Sequence, residues 1–393
     1  MARPPRSLLP REDWPASVSR PLVSPLQPSV VYTVESPDAL DAQYEGRTQG
    51  FTYAREGHPN AEVLAAMIGR MEGAETSVVT GSGMAAVGAA ILGVVRAGDH
   101  VIGGTELYGR SLRLLSDELP RLGVETSLVD TTDAGAVAAA MRPETRLILV
   151  ETVSNPTLRV ADIAGISRLP GAGNRVLAVD NTFATPRALR PLSVGADIVI
   201  HSVTKLLAGH SDATLGWVGT TDADLGAAIA GQVATWGLTA SPFDCWLAER
   251  GLLSFDLRYE RAAANAARLA DALAAMPGVD RVLYPGRPDH PDHNRALGLL
   301  GGQGGNMVTF SIAGGRAAAN RLVRAADGLA FAPTLGDIAT VISHPASSSH
   351  RSLGADARTA MGISEGTFRV SVGVEPAGEL VALFAAALQA ASD

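Results

Sequence analysis

Hydrophobic positions in the middle of the chain alternate between helical spacing and short apolar runs. Apolar residues recur every three or four positions in 60–71, 84–95 and 112–122, which predicts amphipathic helices. Short apolar runs typical of buried strands lie between and after these helices, at 77–80, 100–103, 125–129, 147–151, 176–180, 197–201 and 215–219. This order predicts an α/β fold with a mostly parallel sheet that is covered on both faces by helices.

The pattern changes beyond about residue 251. A long helix rich in Ala and Arg is predicted over 252–276, and strand-like runs and helices follow it at 307–312, 316–326, 368–372 and 379–390. At the other end, the Pro-rich first residues cannot bury a core and predict an extended arm that contacts a neighbouring chain. The expected division is an arm over 1–57, a ligand-binding domain over 58–250 and a smaller C-terminal α+β domain over 251–393.

Composition limits the partners and the compartment. The formal net charge is -8, from 32 basic and 40 acidic residues without a basic stripe, so we expect no nucleic-acid or anionic-membrane partner. The single cysteine, Cys245, excludes an internal disulfide and suits a reducing compartment. Residues 1–20 lack the apolar core of a signal peptide, and glycines in the uncharged stretch 76–95 favour strand, turn and helix over a membrane span. We expect a soluble, cytoplasmic protein.

Lys205 is the only lysine among the 32 basic residues. Codon bias explains much of this rarity, because arginine can replace lysine on a surface. A primary amine can form an imine, however, and a guanidinium cannot. Lys205 follows the apolar run 197–201, so its amine is expected at the carboxyl end of a strand, beside the hydroxyls of Ser202 and Thr204. The lysine is therefore a candidate for covalent catalysis.

Two other predicted strands also end in polar groups. Asp180 ends the run 176–180, Glu151 ends the run 147–151, and Asn155 follows the second run. A buried Asp180 would need a cationic partner such as a protonated pyridine nitrogen, although a helix cap and a turn are ordinary structural explanations for the acid and the amide. Ligands of parallel sheets bind beyond the carboxyl ends of the strands. An amine, an acid and an amide in this place together favour a functional site.

The glycine-containing segment 81–86 follows a strand and begins a helix, which suits phosphate binding by backbone N–H groups. The same segment also fits the G-x-G-x-x-A fingerprint of dinucleotide-binding proteins, with Glu106 as the ribose-binding acid. A NAD-dependent Rossmann dehydrogenase is therefore an alternative, although it gives Lys205 and Asp180 no role.

Three other motifs are weaker candidates. Pro291 would break a helix within His-Pro-Asp-His at 290–293, so we predict a solvated loop and no metal site. The segment 209–213 resembles a nucleophile elbow, but Ser, His and Asp that are adjacent in sequence cannot form a catalytic triad. For Cys245, buried packing is a better explanation than nucleophilic chemistry.

A larger set of motifs carries a family resemblance. In chain order the motifs are Tyr53-Ala-Arg55, Gly73-Ala-Glu75, Ser82-Gly-Met84, Tyr108-Gly, Ser154-Asn-Pro156, Asp180-Asn-Thr182, His201-Ser-Val-Thr-Lys205, Gly209-His-Ser-Asp212, Ser241-Pro-Phe-Asp244, His344-Pro-Ala-Ser347 and Gly362-Ile-Ser-Glu-Gly366. Together they resemble the trans-sulfuration family of pyridoxal-phosphate (PLP) enzymes. That family includes cystathionine γ-synthase, the cystathionine lyases, methionine γ-lyase and O-acetylhomoserine sulfhydrylase.

The resemblance implies the aspartate-aminotransferase-like PLP-dependent transferase fold (fold type I), with a seven-stranded sheet and 58–250 as the PLP-binding domain. It also implies a homotetramer built from dimers that share their active sites. Lys205 would hold PLP as a Schiff base and move protons, and Asp180 would keep the pyridine nitrogen protonated. Tyr108 would stack on the ring and act as acid and base at the leaving group.

The resemblance implies further contacts with the cofactor and the substrate. Phosphate contacts would come from Gly83, Met84, Ser202 and Thr204, and from Tyr53 and Arg55 of a neighbouring subunit. The remaining cofactor contacts would come from Asn155 and Thr182. Arg369 would clamp the substrate α-carboxylate. The other implied substrate-binding residues are Thr334, Asn155, Tyr53 and Arg110.

Two positions depart from the family pattern. Pro333 precedes Thr334 where cystathionine-handling members often carry Glu, which disfavours cystathionine as the substrate. Asp337, after Gly336, resembles methionine γ-lyase and the sulfhydrylases more than the cystathionine enzymes. Arg110 replaces a small residue or a cysteine, and it would favour an anionic substrate or acceptor if it faces the pocket.

The function expected from the resemblance is PLP-dependent γ-elimination or γ-replacement on an L-homoserine- or homocysteine-type amino acid. Removal of a Cα proton and then a Cβ proton lets a group leave from Cγ, whereas loss from Cβ needs only the first deprotonation. A PLP-dependent β-lyase is therefore the nearest alternative. The Rossmann dehydrogenase and a non-catalytic relative are more distant alternatives.

Overall fold

A computed structural model describes residues 17–170, 175–351 and 353–392 of the chain. The strands of its larger sheet are β1 (Thr76–Thr80), β2 (His100–Gly104), β3 (Glu125–Val129), β4 (Thr145–Glu151), β5 (Val176–Asp180), β6 (Ile198–His201) and β7 (Gly216–Thr220). Their spatial order is β1-β7-β6-β5-β4-β2-β3, and β7 runs antiparallel to both of its neighbours while the other pairs are parallel. The predicted mostly parallel seven-stranded sheet is confirmed.

The central strands are apolar without interruption because both of their faces are buried. Leu147 and Leu149 of β4 pack into one core, and Ile148 and Val150 pack into another core on the opposite face. The helical elements of this part are α1 (Pro37–Tyr44), α2 (Pro59–Glu72), α3 (Gly83–Val94), α4 (Gly109–Arg113), a π-helical turn (Leu114–Glu118), α5 (Leu119–Arg121), α6 (Ala134–Ala140), α7 (Ile163–Ser167), α8 (Thr185–Ala188), a 3-10 turn (Pro191–Val194), α9 (Ala223–Trp236) and α10 (Pro242–Leu252).

A second sheet forms the C-terminal part. Its strands are β8 (Val279–Leu283), β9 (Met307–Ile312), β10 (Ala330–Phe331), β11 (Val341–Ser343) and β12 (Thr367–Ser371), in the order β10-β11-β12-β9-β8. Its helices are α11 (Phe255–Ala275), α12 (His293–Leu299), α13 (Gly315–Ala325), α14 (Ala355–Ala360) and α15 (Ala377–Ser392). Buried Phe310 contacts both Phe368 and Phe384 in the core of this sheet. The helix predicted over 252–276 begins later, at Phe255, because α10 extends to Leu252.

The arm predicted over 1–57 lies partly outside the described residues, which begin at 17. Its described part contains α1 and an isolated antiparallel bridge between Val31 and Tyr53. None of the helices in the described ranges is long and apolar enough to cross a membrane. The limits of the three predicted domains stay a prediction.

The sheet order rejects the dinucleotide-binding alternative. In a Rossmann sheet the strand before the glycine-rich turn is central, whereas β1 lies at the sheet edge and pairs antiparallel with β7. Glu106, the acid expected to bind a ribose in that alternative, accepts hydrogen bonds from the hydroxyls of Ser154 (2.7 Å) and Thr157.

The prediction of a solvated loop at 290–293 is wrong. His290 and Asp292 are buried, and the Asp292 carboxylate accepts hydrogen bonds from Arg159 Nε at 2.6 Å and from the Val160 N–H at 3.0 Å. The local sequence around Pro291 gives no indication that Arg159, which is distant in sequence, pairs with Asp292. The expectation for Cys245 is confirmed, since its side chain is buried and burial raises the pKa of its thiol to about 12.

A buried arginine fixes the segment that follows Lys205. Arg258 of α11 donates hydrogen bonds to the carbonyls of Leu206 (2.8 Å), Leu207 (3.1 Å) and Gly251 (2.9 Å). Buried carbonyl groups need such partners, because leaving them without a donor costs free energy. Arg258 therefore links the C-terminal part of the chain to the segment that carries the lysine.

Replacing Arg258 tests the importance of this link. Arg258→Met removes the donor to three carbonyls, and we expect it to lower the free energy of unfolding by about 3 kcal/mol in chemical denaturation followed by circular dichroism. Arg268→Met is the matched control, because Arg268 lies on the exposed face of the same helix. Equal effects of the two substitutions would contradict the proposed importance of the link.

Candidate active site

A cavity of about 750 Å³ lies at the carboxyl ends of β4, β5 and β6. Polar side chains of these strand ends and of the C-terminal part line it together. The predicted site residues that line the cavity are Gly83, Met84, Tyr108, Arg110, Asn155, Asp180, Thr182, Ser202, Thr204, Lys205, Thr334 and Arg369. The structure therefore brings together every predicted site residue except Tyr53 and Arg55.

Lys205 presents its amine to this cavity from the segment after β6. Its Nζ donates a hydrogen bond to Thr334 Oγ1 at 3.3 Å. Burial and the positive charge of Arg369 lower the pKa of the Lys205 amine. A lowered pKa increases the fraction of neutral amine, which is the form that attacks a carbonyl and accepts a proton.

Asp180 is the second predicted group, and it ends β5. Its Oδ1 accepts hydrogen bonds from the Thr182 N–H at 3.0 Å and the Thr182 hydroxyl at 2.5 Å. Burial raises the pKa of the Asp180 carboxyl, and the bonds from Thr182 and the charge of His201 oppose that increase. No cationic side chain among the described residues forms an ion pair with Asp180. A buried carboxylate that faces a cavity fits a cationic ring nitrogen, which would offset its cost of burial.

Glu151 ends the neighbouring strand and lies beside Asp180 in the register of β4 and β5. Its carboxylate accepts a hydrogen bond from the Tyr108 N–H at 2.6 Å and so fixes the backbone of that residue. Burial, followed by the charge of Asp180, raises the pKa of the Glu151 carboxyl well above its ordinary value. Glu151 was not among the predicted site residues. The apolar run that ends in an acid, the same signal that indicated Asp180, placed Glu151 at a strand end but gave it no role.

The beginning of α3 forms a cradle against the segment that follows β6. The Ser82 hydroxyl accepts a hydrogen bond from the Ala85 N–H at 3.1 Å and caps the helix. A Cβ on Gly83 would lie 2.7 Å from the Ser202 Cβ, so only glycine allows this close approach. Free N–H groups at a helix N-terminus next to a serine hydroxyl fit a phosphate group. The Thr204 hydroxyl lines the cavity too, but it also bonds the backbone of Leu215.

Arg369 reaches the cavity from β12 of the second sheet. Its guanidinium donates hydrogen bonds to Asn155 Oδ1 and to the Thr334 carbonyl, both at 2.7 Å. Burial lowers the pKa of Arg369 to about 10, and its buried Nε has no hydrogen-bond partner in the described part of the chain. A buried guanidinium with unused donor capacity fits a carboxylate ligand. Together with Lys205, Asp180 and the cradle at Gly83, this arginine completes a set of residues that fits PLP and an amino acid.

Tyr108 and Arg110 lie at the beginning of α4, where both line the cavity. The sequence left open whether Arg110 faces the pocket or the solvent, and the structure places it in the cavity lining at an exposed position. Tyr53 and Arg55 do not line the cavity of their own chain. The Arg55 guanidinium lies 5.6 Å from the centre of the Tyr53 ring and 3.2 Å from a carboxylate oxygen of Glu56. Their role in a neighbouring subunit stays a prediction.

A buried polar network that sequence reasoning missed lies beneath the site. Glu72 accepts hydrogen bonds from His201 Nε2 at 2.5 Å and from Asn181 Nδ2 at 2.9 Å. Since Asn181 follows Asp180 and His201 precedes Ser202, this network holds two strand ends in place. Other cavity-lining residues that were not predicted include Arg113, Phe183, Thr214, Ser348, Ser349 and Arg351.

Comparison with known proteins agrees with this geometry. The model of the Cys/Met metabolism PLP-dependent enzyme family matches residues 12–389. An L-methionine γ-lyase of Porphyromonas gingivalis is 36% identical over 364 residues, which cover 92% of this chain and 91% of that protein. A cystathionine β-lyase of Bacillus subtilis is 37% identical over 339 residues, which cover 86% of each protein.

A solved structure shows the same fold. Cystathionine γ-synthase from Xanthomonas oryzae, in complex with cystathionine, has a TM-score of 0.89 and 33% sequence identity, and the match covers 94% of each chain. The family resemblance, the fold class and the PLP cofactor predicted from the sequence are therefore confirmed. This chain belongs to the Cys/Met metabolism PLP-dependent enzyme family.

Proposed function

We propose that this protein is a PLP-dependent enzyme that catalyses γ-elimination or γ-replacement on an L-homoserine- or homocysteine-type amino acid. The observation that carries the proposal is the convergence of Lys205, Asp180 and Arg369 on one cavity. The relatives include a methionine γ-lyase and a cystathionine γ-synthase, which supports chemistry at Cγ.

The proposed contacts with PLP follow from the chemical groups that these residues present to the cavity. Lys205 would hold PLP covalently, Asp180 would bind the pyridine nitrogen, and the cradle at Gly83 would bind the phosphate. Ser202, Thr204 and the Met84 N–H would complete the phosphate contacts, and Asn155 and Thr182 would lie beside the ring. Bound PLP supplies an electron sink that acidifies the Cα–H of an attached amino acid.

Lys205 is the proposed proton carrier. Its amine has a lowered pKa and therefore accepts a proton from Cα more readily than an ordinary lysine does at neutral pH. Chemistry at Cγ requires a second proton to be removed from Cβ, which the same flexible side chain can reach. Tyr108 lines the same cavity and is the proposed acid and base at the leaving group, with its backbone held by Glu151.

Arg369 and Asn155 are proposed to orient the substrate. The hydrogen bond from Arg369 to Asn155 Oδ1 places a guanidinium and an amide side by side, where both can bind one α-carboxylate. Thr334 contacts both Arg369 and Lys205, so it links the carboxylate clamp to the proton carrier. This arrangement would hold Cα within reach of the Lys205 amine.

The lining of the cavity disfavours cystathionine as the substrate. Pro333 lines the cavity and supplies no carboxylate for a distal ammonium group. The acidic residues that line the cavity in the described part of the chain are Glu151 and Asp180, which lie at buried strand ends. A neutral or anionic group at Cγ fits this lining better than an ammonium group does.

The assembly and the location are also proposed. We propose a homotetramer of dimers in the cytoplasm, with a domain over 58–250, a second domain over 251–393 and an arm over 1–57 that reaches the neighbouring chain. Two separate sheets with separate cores support the division. The exposed pair of Tyr53 and Arg55, which is not part of its own chain's cavity, supports a shared active site.

A panel of γ- and β-substituted L-amino acids tests the reaction type. We expect the holoenzyme to convert γ-substituted members to 2-oxo acids or to new amino acids, detected by mass spectrometry. Lys205→Ala should reduce this turnover by about 10³-fold, because it removes the proposed proton carrier. Products from β-substituted members alone would instead establish the β-lyase alternative, and PLP binding without any product would indicate a non-catalytic relative.

Mixing two inactive variants tests the shared site. Arg55→Ala and Lys205→Ala are each expected to be inactive as homo-oligomers, but a mixed dimer would contain one site with both native residues. Unfolding and refolding the two variants together should therefore restore part of the activity. Lack of recovery, despite heterodimers demonstrated by native mass spectrometry, would contradict a site shared between subunits.

A further inference from the structure

Asn155, which is proposed to orient the substrate, lies in a short turn over 154–160 that follows β4. The turn is closed by a hydrogen bond from the Ser154 N–H to the Arg159 carbonyl at 2.9 Å. Leu158, within the turn, has a φ of 56°, which lies in the left-handed region that leucine rarely adopts. A backbone conformation of this kind persists only where the surrounding contacts hold it in place.

The second sheet holds the first half of this turn. Arg369 of β12 donates a hydrogen bond to Asn155 Oδ1 at 2.7 Å, and Thr309 of β9 donates one to the Pro156 carbonyl at 2.6 Å. Arg369 and Thr309 are direct partners in the register of β12 and β9. Neighbouring points on one sheet therefore bind neighbouring residues of the turn.

A buried carboxylate holds the second half of the turn. Asp292, which directly precedes α12, accepts hydrogen bonds from Arg159 Nε at 2.6 Å, from Arg159 Nη2 at 3.1 Å and from the Val160 N–H at 3.0 Å. Only 7% of the Asp292 side chain is exposed. A buried carboxylate needs a cationic, hydrogen-bonded partner, and a guanidinium that binds both carboxylate oxygens fixes the geometry of the pair.

Two further residues fix the position of this carboxylate. His290 Nδ1 accepts a hydrogen bond from the Asp292 N–H at 3.1 Å, and burial lowers the pKa of His290 to about 4, so the ring is a neutral acceptor near pH 7. Arg295 of α12 donates hydrogen bonds to the Val160 carbonyl at 2.9 Å and to the Thr132 carbonyl at 2.7 Å. The beginning of α12 is therefore joined to the part that contains the larger sheet at several points.

These contacts connect a residue outside the cavity to one inside it. Asp292 lies outside the cavity lining, whereas Asn155 and Arg369 line the cavity. If the turn moved, Asn155 Oδ1 would no longer accept the hydrogen bond from Arg369. The buried guanidinium would then be oriented by its hydrogen bond to the Thr334 carbonyl with one fewer partner. A less firmly oriented guanidinium binds a carboxylate less well, because its two-pronged geometry must match both oxygens.

We propose that Asp292 is a positioning residue for the substrate α-carboxylate: by fixing Arg159 and Val160 it holds the turn, and the turn keeps Asn155 where it orients Arg369. This inference rests on the proposed function of Asn155 and Arg369. It gives a role to the buried segment 290–293, which carries no group that reaches the cavity.

Two ligands that differ only in the α-carboxylate test this role without turnover. L-Norleucine and n-pentylamine have the same chain and amine, and binding of each to the holoenzyme is measured by the change in cofactor absorbance. We expect the wild type to bind L-norleucine more tightly. Asp292→Asn should reduce this preference by about tenfold and leave the affinity for n-pentylamine nearly unchanged. Asp271→Asn is the matched control, because it removes an exposed partner of Arg287 in the same part of the chain and should not alter the preference.

A second variant tests the same contact from its other side. The Arg159 side chain is 28% exposed, so Arg159→Gln disturbs the core less than Asp292→Asn does. It should reduce the preference for L-norleucine in the same direction. Because the two residues act as a pair, the double variant should lose no more of the preference than Asp292→Asn alone. Circular dichroism and the absorbance of bound PLP verify that each variant is folded.

The outcomes separate this inference from the proposed function. A preference that is unchanged in folded Asp292→Asn and Arg159→Gln would overturn this inference alone. An equal loss of affinity for both ligands would also overturn it, since the effect would then not concern the carboxylate. A wild type that binds both ligands equally would overturn the proposed role of Arg369 together with this inference, and a wild type that binds no PLP would overturn the proposed function.

Discussion

The parallel register of β4, β5 and β6 is the constraint on which the active site depends. It places Glu151 beside Asp180, and it brings the chain after His201 to the same edge of the sheet. The apolar faces of these strands fix that register, since a slip by one residue would reverse the side chains that face each core. The buried network of Glu72, Asn181 and His201 holds the strand ends from below.

Residues from both parts of the chain form the active-site cavity. Thr334 and Arg369 belong to the C-terminal part, yet they contact Lys205 and Asn155 of the part that contains the larger sheet. A Cβ on Gly336 would lie 2.5 Å from the Leu206 backbone nitrogen, so the two parts approach closely behind the lysine. Arg258 strengthens the same junction from α11. The relative position of the two parts therefore governs the distance between Lys205 and Arg369.

The local hydrophobic pattern correctly predicted strands that are buried along most of their length. The strand over 176–180 has the limits that the pattern predicted, because its buried apolar residues end at the polar Asp180. Asp180 could be identified because it ends such a strand, and Lys205 because it lies in the segment that comes after one. Glu151 met the same condition, but it carried no motif that gave it a role.

Contacts between distant segments could not be predicted from local pattern. The burial of Asp292 depends on Arg159, and the pairing of His201 depends on Glu72, more than a hundred residues away in each case. The direction of Arg110 depends on how α4 packs, which spacing alone does not determine. Family motifs supplied the roles of Tyr108 and Arg369, and the contact between Thr309 and Pro156 became visible only in three dimensions.

We propose above that the single lysine of this chain, Lys205, binds the cofactor covalently and lies at the centre of the site. Reduction of the purified holoenzyme with borohydride, followed by peptide mass spectrometry, tests this claim most directly. We expect a reduced PLP adduct on the peptide that contains Lys205, and no such adduct in Lys205→Ala. An adduct elsewhere in the wild-type chain, or no adduct in a protein that contains bound PLP, would contradict the account.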